Sequence, residues 1–364
     1  MRPIIDSHLD LAWNALTWKR DLLLDLETLN ASEAHLQDFL GRGRATTCFP
    51  ELRQAGVAVC VATAMGRVPH GGAQVVHGAS LDFPAHPNVC AFAAGQLAYY
   101  QCLERFGEIR MIRSATDLRK HWQAWQPDKK QPIGLIFALE GCDAVVHPRD
   151  LEYWVDQGLR CASLVHYGQS AYATGTGEEG PLSSLGRDLL GCMEALGVIL
   201  DLTHLCDTSF FEALEHFDGP VFASHQNCRH LVPGQRQFSD EQIQRVLERQ
   251  GVFGVALDAW MLHPEWQRSN SLDELTSFKE VPLVMLADHI DHYCQLAGNA
   301  KHAAIGTDLD GGFGNEQTPL ELRRLRDLQQ LDAMLEKRGY SDTDIDAIFH
   351  GNWLRYFQEH LPLN

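Results

Sequence analysis

The amino-acid sequence predicts an α/β protein built as a single (β/α)8 TIM barrel with inserted loops and a C-terminal helix, over residues 1–364. Three observations predict this fold: eight short apolar runs recur, helical segments separate them, and neither a linker nor an internal repeat divides the chain. Apolar strands that alternate with helices indicate a parallel sheet covered on both faces, and eight of them can close a barrel. An open doubly wound sheet is the alternative, although no Gly-x-Gly-x-x-Gly follows the first strand.

The strand candidates share an apolar or β-branched composition bounded by turn residues or helical segments. In order they are PIID, GVAVCVATA, IGLIFALEG, LRCASLVH, GVILDLTH, GPVFASH, GVFGVALD and HAAIGTD, at residues 3–6, 56–64, 133–141, 159–166, 197–204, 219–225, 251–258 and 302–308.

The segments between the strand candidates have helical periodicity. PLVMLADHIDHYCQLAG has an apolar stripe through Leu286 and Ile290 and ends at a glycine, as helices commonly do. Ser209 and Glu212 have the spacing of a capping box at the start of FFEALEHF. The surplus length falls in inserted loops and in a final helix, DIDAIFHGNWLRYFQEHL. The main insertions are residues 11–55, 167–182 and 259–280.

Composition excludes several classes of partner. With 48 acidic and 30 basic side chains, the formal net charge is −18, and such a surface repels nucleic acid. No apolar run approaches the roughly 18 residues of a membrane span, so no membrane partner is expected. The N-terminal residues show no secretory signal, which predicts a cytoplasmic protein. The ten cysteines form no Cys-x-x-Cys pair and are expected to be reduced.

The first strand candidate continues as IIDSHLDLAWN and raises the first metal-site hypothesis. Side chains alternate along a strand, so His8 and Asp10 project to the same side, with about 6.5–7 Å between their Cα atoms. A pair with this spacing can bind one metal ion. A core histidine followed by a helix N-cap is the ordinary alternative, so the hypothesis requires ligands from elsewhere.

Five further strand candidates end in a residue that can bind metal. In a parallel barrel the reactive groups gather at the carboxyl ends of the strands. Each residue alone could be a buried histidine or a turn carboxylate, but their joint placement favours one site. Imidazole and carboxylate ligands without thiolates suit Zn²⁺, Mn²⁺ or Co²⁺. The five residues are Glu140, His166, His204, His225 and Asp308.

Four other histidines lack a strand end to place them. His289 and His292 lie in DHIDH on a helix that precedes the last strand, and a structural role is expected for both. His70 and His77 are the first and last residues of HGGAQVVH and are not predicted to be ligands.

Taken together, these motifs resemble the membrane dipeptidase (renal dipeptidase) family of binuclear zinc hydrolases, within the amidohydrolase-like barrels. The resemblance implies two Zn²⁺ per chain, with Mn²⁺ or Co²⁺ as alternatives. It implies that His8 and Asp10 hold one ion, that His204 and His225 hold the other, and that Glu140 bridges them. It covers nearly the whole chain through DSHLDLAWN, FPELRQAGV, ALEG, GLRCASLVH, GVILDLTH, PVFASHQNCRH, DHIDHYCQLAGNAKHAAIGTDLDGGFG and GYSDTDIDAIFHGNWLRYF.

The resemblance also implies an activity and a homodimer. The expected reaction is hydrolysis of dipeptides by a metal-bridging hydroxide, including dipeptides with a D-residue at the C-terminal position. His166 is similar to the histidine that contacts the substrate carbonyl, Arg236 to the carboxylate-binding arginine and Asp308 to the proton-transfer carboxylate. Tyr167, Gln169 and Tyr172, in an atypical loop after His166, are candidate walls of the pocket.

Two other functions stay open at this point. One binuclear site can attack several kinds of carbonyl, so deacylation of N-acyl amino acids, lactam opening or ester hydrolysis are alternatives. A metal-binding barrel without catalysis is the other alternative. The presence of all five ligands that the resemblance implies argues against a barrel without catalysis. These ligands are His8, Asp10, Glu140, His204 and His225.

Overall fold

The structure is a computed structural model that describes residues 1–70, 81–126, 129–267, 271 and 281–364. Strands and helices alternate along it, and all strand pairs are parallel. The strands β1 to β9 are Ile4–Leu9, Val57–Met65, Ile109–Met111, Ile133–Glu140, Leu159–Ser163, Ile199–Asp201, Val221–Phe222, Phe253–Val255 and Ala303–Ile305.

Helices cover the outside of this sheet. The helices α1 to α14 are Leu11–Thr17, Leu26–Glu33, Phe49–Ala55, His86–Arg105, Ala115–Ala124, Leu151–Asp156, Ser184–Leu196, Asp207–His216, Asp240–Glu248, Ala259–Leu262, Val284–Ala297, Leu331–Lys337, Asp342–Asp346 and Asn352–His360. Short 3-10 helices span Pro148–Asp150 and Leu325–Gln330.

The predicted α/β barrel architecture is confirmed. Parallel hydrogen bonds join the strands in the order β1-β2-β4-β5-β6-β7, a bridge from Ala223 to Phe253 continues to β8, and β8 pairs with β9. Each of the eight predicted runs overlaps one of these strands. Strands β1 and β2 extend beyond their runs, and the others are shorter than theirs. The additional strand, β3, pairs with the first residues of β4 and was not predicted.

Side chains join β9 to β1, where the two strands share no backbone ladder. The buried carboxylate of Asp6 accepts hydrogen bonds from the Thr307 N–H at 2.9 Å and from its hydroxyl at 2.6 Å. The Ser7 hydroxyl donates to the Ile305 carbonyl across the same gap at 3.1 Å. These bonds hold the ends of β1 and β9 together, next to His8 and Asp308.

Two glycines let the strands approach inside the barrel. A Cβ atom at Gly306 would lie 1.9 Å from the Ser224 carbonyl oxygen, and one at Gly254 would lie 2.0 Å from the same atom. Heavy atoms cannot approach so closely, so only glycine fits at either position. The absent side chains allow β7, β8 and β9 to converge beneath the rim.

The helix predictions are confirmed in part. Leu286 and Ile290 are buried on α11, and Gly298 ends that helix with φ +67°. The final helix is interrupted by a π-helical turn at Ala347–Gly351. No helix of the described residues has both the length and the apolar character needed to cross a membrane.

The predicted capping box is wrong. Helix α8 begins at Asp207, and its N-cap is Cys206, whose thiol accepts the Ser209 N–H at 3.4 Å. The Ser209 hydroxyl donates to the Gly180 carbonyl, and Glu212 accepts the Leu182 N–H. Both side chains therefore hold the loop that precedes α7, a role that local spacing does not reveal.

Candidate metal centre and active site

The predicted ligands come together at the carboxyl ends of the strands. His8 lies in β1, Asp10 follows that strand, and Glu140 is the last residue of β4. Four others lie three residues beyond the ends of β5, β6, β7 and β9, which brings them to the same rim. These four are His166, His204, His225 and Asp308.

Four imidazoles surround one oxygen of Glu140. The Nε2 atom of His204 lies 3.1 Å from Glu140 Oε1, and the Nε2 atoms of His8, His166 and His225 each lie 3.6 Å from it. All five side chains are buried or nearly so. Four nitrogens this close to one carboxylate oxygen form a concentrated group of atoms of the type that binds metal.

Two more carboxylates complete the cluster from the side of β1. Asp10 Oδ1 lies 3.4 Å and Asp308 Oδ1 lies 3.8 Å from His8 Nε2. The cluster contains three sets of three residues, and within each set the ligand atoms lie within 4.8 Å of one another. Glu140 belongs to two of these sets. The sets are His8 with Asp10 and Glu140, Glu140 with His204 and His225, and His8 with His225 and Asp308.

The residues fit the binding of a divalent metal. Glu140 Oε2 and His8 Nε2 are buried without a hydrogen-bond partner among the described residues. A buried polar atom without a partner costs free energy, and a metal ion would supply the missing interaction. Glu140 is shared by two of the ligand sets, so it is the central carboxylate of the cluster.

Hydroxyl groups orient two of the histidines. The Thr176 hydroxyl donates to the His204 carbonyl at 3.3 Å, so its oxygen can accept the Nδ1–H of the same residue at 3.0 Å. The Ser224 hydroxyl donates to Thr203 and lies 2.9 Å from His225 Nδ1, so it can accept that proton likewise. These bonds leave the Nε2 lone pairs of His204 and His225 available to a metal.

The charges in the cluster shift the pKa of its members. Burial lowers the pKa of His204 and His225 well below the ordinary value, and nearby positive groups add to the effect. Burial also acts to lower the pKa of His8, but the carboxylates of Glu140 and Asp10 outweigh it and raise the value to about 10.

Asp308 combines a raised pKa with an uncommon backbone conformation. Burial and the charge of Asp10 raise its pKa to about 8, against the opposing effect of His8. Its backbone is left-handed, with φ +56°, and that of His204 has φ +71°. Left-handed residues other than glycine are uncommon and concentrate at functional sites.

A cavity of ≈ 970 Å³ opens above the cluster. The Arg236 guanidinium lies in its wall and is only 5% exposed. It donates to the Gln226 side chain at 2.7 Å and to the His225 carbonyl at 3.0 Å, and no carboxylate among the described residues forms an ion pair with it. The predicted site residues that line this cavity are Asp10, Glu140, His166, Tyr167, His204, His225, Arg236 and Asp308.

The two tyrosines after His166 differ in position. Tyr167 lines the cavity, and its ring centroid lies 4.8 Å from that of His166. Gln169 and Tyr172 were predicted as walls of the pocket, but neither is among the residues that line it. Tyr172 is buried in the core, where its hydroxyl donates to the Val145 carbonyl.

The other histidines lie outside the cluster, as expected. His289 accepts the Cys228 N–H at 3.0 Å, and His292 pairs with Asp240 at 2.7 Å. The N–H of His70 donates to the Gln169 carbonyl. His77 lies outside the described residues.

Sequence reasoning missed the residues that orient the site. Ser224 and Gln226 flank His225, and that adjacency could have suggested them. Thr176 lies in the atypical loop after His166, where no local pattern marks it. Arg67 follows β2, the second strand end, and its Nη1 lies 3.4 Å from His166 Nδ1. A polar residue at that strand end was the available signal.

The fold and the rim cluster together place the chain among α/β barrels that can hold metal ions at the carboxyl ends of their strands. It belongs to the membrane dipeptidase family (peptidase family M19), whose family model matches residues 1–361. The family resemblance seen in the sequence is thereby confirmed.

Individual relatives are distant. A protein from Klebsiella pneumoniae, described as uncharacterized and located in the pqqA 5′ region, is 27% identical over 258 residues, which cover 68% of this chain and 88% of that protein. Dipeptidase aclJ of Aspergillus oryzae is 28% identical over 228 residues, which cover 61% of this chain and 50% of that protein. The chain spans about half the length of several curated dipeptidases that it matches.

Solved structures share the fold. A metallo peptidase from Rhodobacter sphaeroides, liganded with a phosphinate mimic of the dipeptide L-Ala-D-Ala, superposes with a TM-score of 0.77 at 20% identity and 99% coverage of both chains. At this identity the likeness concerns the fold alone.

Proposed function

We propose that this protein is a metal-dependent dipeptidase that holds two divalent ions, Zn²⁺ or alternatively Mn²⁺ or Co²⁺. The observation that carries the proposal is the position of Arg236, which has no carboxylate partner among the described residues and lies in the wall of the cavity above the ligand cluster. A guanidinium in that position suits the free α-carboxylate of a short peptide. Family membership and the metallo peptidase neighbour with its dipeptide mimic support the proposal.

In this proposal the ligands divide as two of the three ligand sets suggest. His8 and Asp10 would hold one ion, His204 and His225 would hold the other, and Glu140 would contribute to both. The carboxylates of Asp10 and Glu140 offset the repulsion between two cations. When bound, such a pair lowers the pKa of a shared water, so that hydroxide is available near neutral pH to attack an amide carbonyl.

The remaining side chains position the substrate and move its protons. Arg236 fixes the α-carboxylate, and Tyr167 forms part of the adjoining wall. His166 donates a hydrogen bond to the scissile carbonyl oxygen and stabilises the charge that develops there. Asp308 accepts a proton from the attacking water and delivers it to the departing amine.

An assay on purified protein loaded with Zn²⁺, Mn²⁺ or Co²⁺ tests the proposal. The panel contains L,L-dipeptides, L,D-dipeptides, N-acyl amino acids, lactams and esters. We expect the highest kcat/KM for dipeptides, and we expect a D-residue to be accepted at the C-terminal position. Turnover of N-acyl amino acids or lactams without turnover of any dipeptide would make the proposal wrong.

Three further proposals concern the whole protein. We propose that residues 1–364 act as one domain, which the family match over residues 1–361 supports. We also propose a homodimer and a cytoplasmic location, as expected from the sequence. Light scattering during size-exclusion chromatography measures the assembly, and fractionation of cells tests the location.

A further inference from the structure

Arg67 lies directly behind His166. The Nε2 atom of His166 faces Glu140 Oε1 at 3.6 Å, whereas its Nδ1 atom faces Arg67 Nη1 at 3.4 Å. Asp82 holds the guanidinium in place through Nε at 2.8 Å and Nη2 at 2.7 Å. The backbones of Arg67 and Asp82 also pair in a β-bridge. The guanidinium is therefore anchored before it meets the imidazole.

A guanidinium can only donate hydrogen bonds. It carries five N–H groups, no acceptor, and a charge that it does not lose in proteins. His166 Nδ1 must therefore accept, and in the neutral ring the proton then lies on Nε2. The Nε2–H group points toward the cluster and the cavity. A protonated nitrogen has no lone pair to offer a metal ion.

His166 differs from His204 and His225 in the group that faces its Nδ1 atom. All three rings place Nε2 within 3.1–3.6 Å of Glu140 Oε1, so distance alone does not separate ligands from other groups. The three rings differ in the side chain that faces Nδ1. Thr176 and Ser224 are hydroxyl groups that can accept an Nδ1–H, whereas Arg67 cannot.

We propose that Arg67 is a positioning residue that holds His166 as the Nε2–H tautomer, so that His166 donates to the carbonyl oxygen of the substrate and does not bind metal. This inference rests on the proposed dipeptidase function for its kinetic consequence. The tautomer itself is a property of the resting protein. Asp82 contributes by fixing the guanidinium, which would otherwise be able to turn away.

Nitrogen-15 NMR of the histidine rings tests the tautomer without any substrate. The chemical shift distinguishes a ring nitrogen that carries a proton from one that carries a lone pair. Spectra of zinc-loaded and metal-free protein, with His166 assigned through His166→Gln, are expected to show a protonated Nε2 and a bare Nδ1. A proton on Nδ1, or a metal on Nε2, would overturn the inference.

Kinetics test the consequence. Arg67→Met keeps the length of the side chain but removes the donor, and we expect kcat for a dipeptide to fall at least about 10-fold, as for loss of a carbonyl-polarising donor, with KM and metal content nearly unchanged. Arg67→Lys retains a donor and should recover most of the kcat. In a His166→Ala background, Arg67→Met should cost nothing further.

The outcomes separate this inference from the proposed function. No dipeptide turnover by the wild type refutes the proposed function, and the NMR result still decides the tautomer. Wild-type kcat in Arg67→Met, or the same loss in the His166→Ala background, refutes the role of Arg67. If Arg67→Met does not fold, the wild-type spectrum and the kcat of Arg67→Lys still test that role.

A matched control comes from another arginine. Arg53 forms a part-buried ion pair with Glu108 and is not among the residues that line the cavity. Arg53→Met should therefore lower stability without changing kcat. A fall in kcat equal to that of Arg67→Met would show that loss of any such ion pair explains the effect, and would overturn the inference.

Discussion

The Nε2 atoms of His204 and His225 lie 3.0 Å apart, and the Nδ1 atom of each ring faces a hydroxyl group. Burial lowers the pKa of both imidazoles. Where the hydroxyls accept the Nδ1 protons, the two Nε2 lone pairs face one another, and a cation held by both nitrogens would remove their repulsion. This arrangement is one of the observations that fit a metal ion at the cluster.

Removing one of these ligands should remove an ion. We expect His204→Ala to lower the metal content by one ion per chain and dipeptide turnover by more than about 100-fold, since even loss of a residue that only orients a ligand costs about 10–100-fold. Mass spectrometry of the metal measures the content. His302→Asn is the control, because that buried histidine donates to the Gly251 carbonyl outside the cluster. Full metal content in His204→Ala would refute the ligand assignment.

Metal binding should release protons. Without metal, the carboxylates of the cluster raise the pKa of His8 to about 10, and burial raises that of Asp308 to about 8. Both groups hold a proton at neutral pH that a bound cation would displace, so metal affinity should rise with pH up to about 8 for Asp308 and up to about 10 for His8. Calorimetry in buffers of different ionisation enthalpy counts the protons. An affinity independent of pH would contradict the expectation.

Arg236 should discriminate between dipeptides with and without a free carboxylate. Loss of a charge-assisted contact of about 1.5–3 kcal/mol corresponds to a fall of about 10–100-fold in kcat/KM, and we expect Arg236→Ala to show it for dipeptides but not for dipeptide amides. Gln226→Leu should have a weaker effect of the same kind, since Gln226 binds both the guanidinium and the carbonyl of Arg236. Arg44→Ala, at another wall position, is the control. Equal losses on both substrates would exclude carboxylate recognition.

Asp308 should affect proton transfer rather than metal binding. We expect Asp308→Asn to lower kcat by about 10²–10⁴-fold, the usual contribution of general acid and base catalysis, while KM and metal content stay nearly constant. Glu316→Gln is the control, because Glu316 lines the cavity and accepts the Gly314 N–H. Loss of metal together with activity would show that Asp308 is a ligand instead.

Local sequence patterns predicted the strands that carry this site and the polar residues at their carboxyl ends. Apolar runs alternating with helices indicated the strands, and a strand of the structure overlaps each of the eight runs. Glu140 ends β4, and His204 follows β6. Because the carboxyl ends of parallel strands meet at one rim, a polar residue at each end was enough to predict that these side chains converge.

The same patterns failed where contacts between distant segments decided the outcome. Ser209 and Glu212 had the spacing of a helix cap, yet both bind the loop before α7. Tyr172 was predicted to face the pocket, but its hydroxyl reaches the Val145 carbonyl in the core. In each case a partner far along the chain competed successfully with the local preference.

Residue types and strand patterns thus suffice to predict which side chains gather at the rim, because both can be read from short stretches of sequence. They do not say which nitrogen of each imidazole holds its proton. That property depends on the group behind the ring, and Arg67 reaches His166 from 99 positions away along the chain. Such pairs come together only when the whole barrel packs, so no short segment of the sequence predicts the contact.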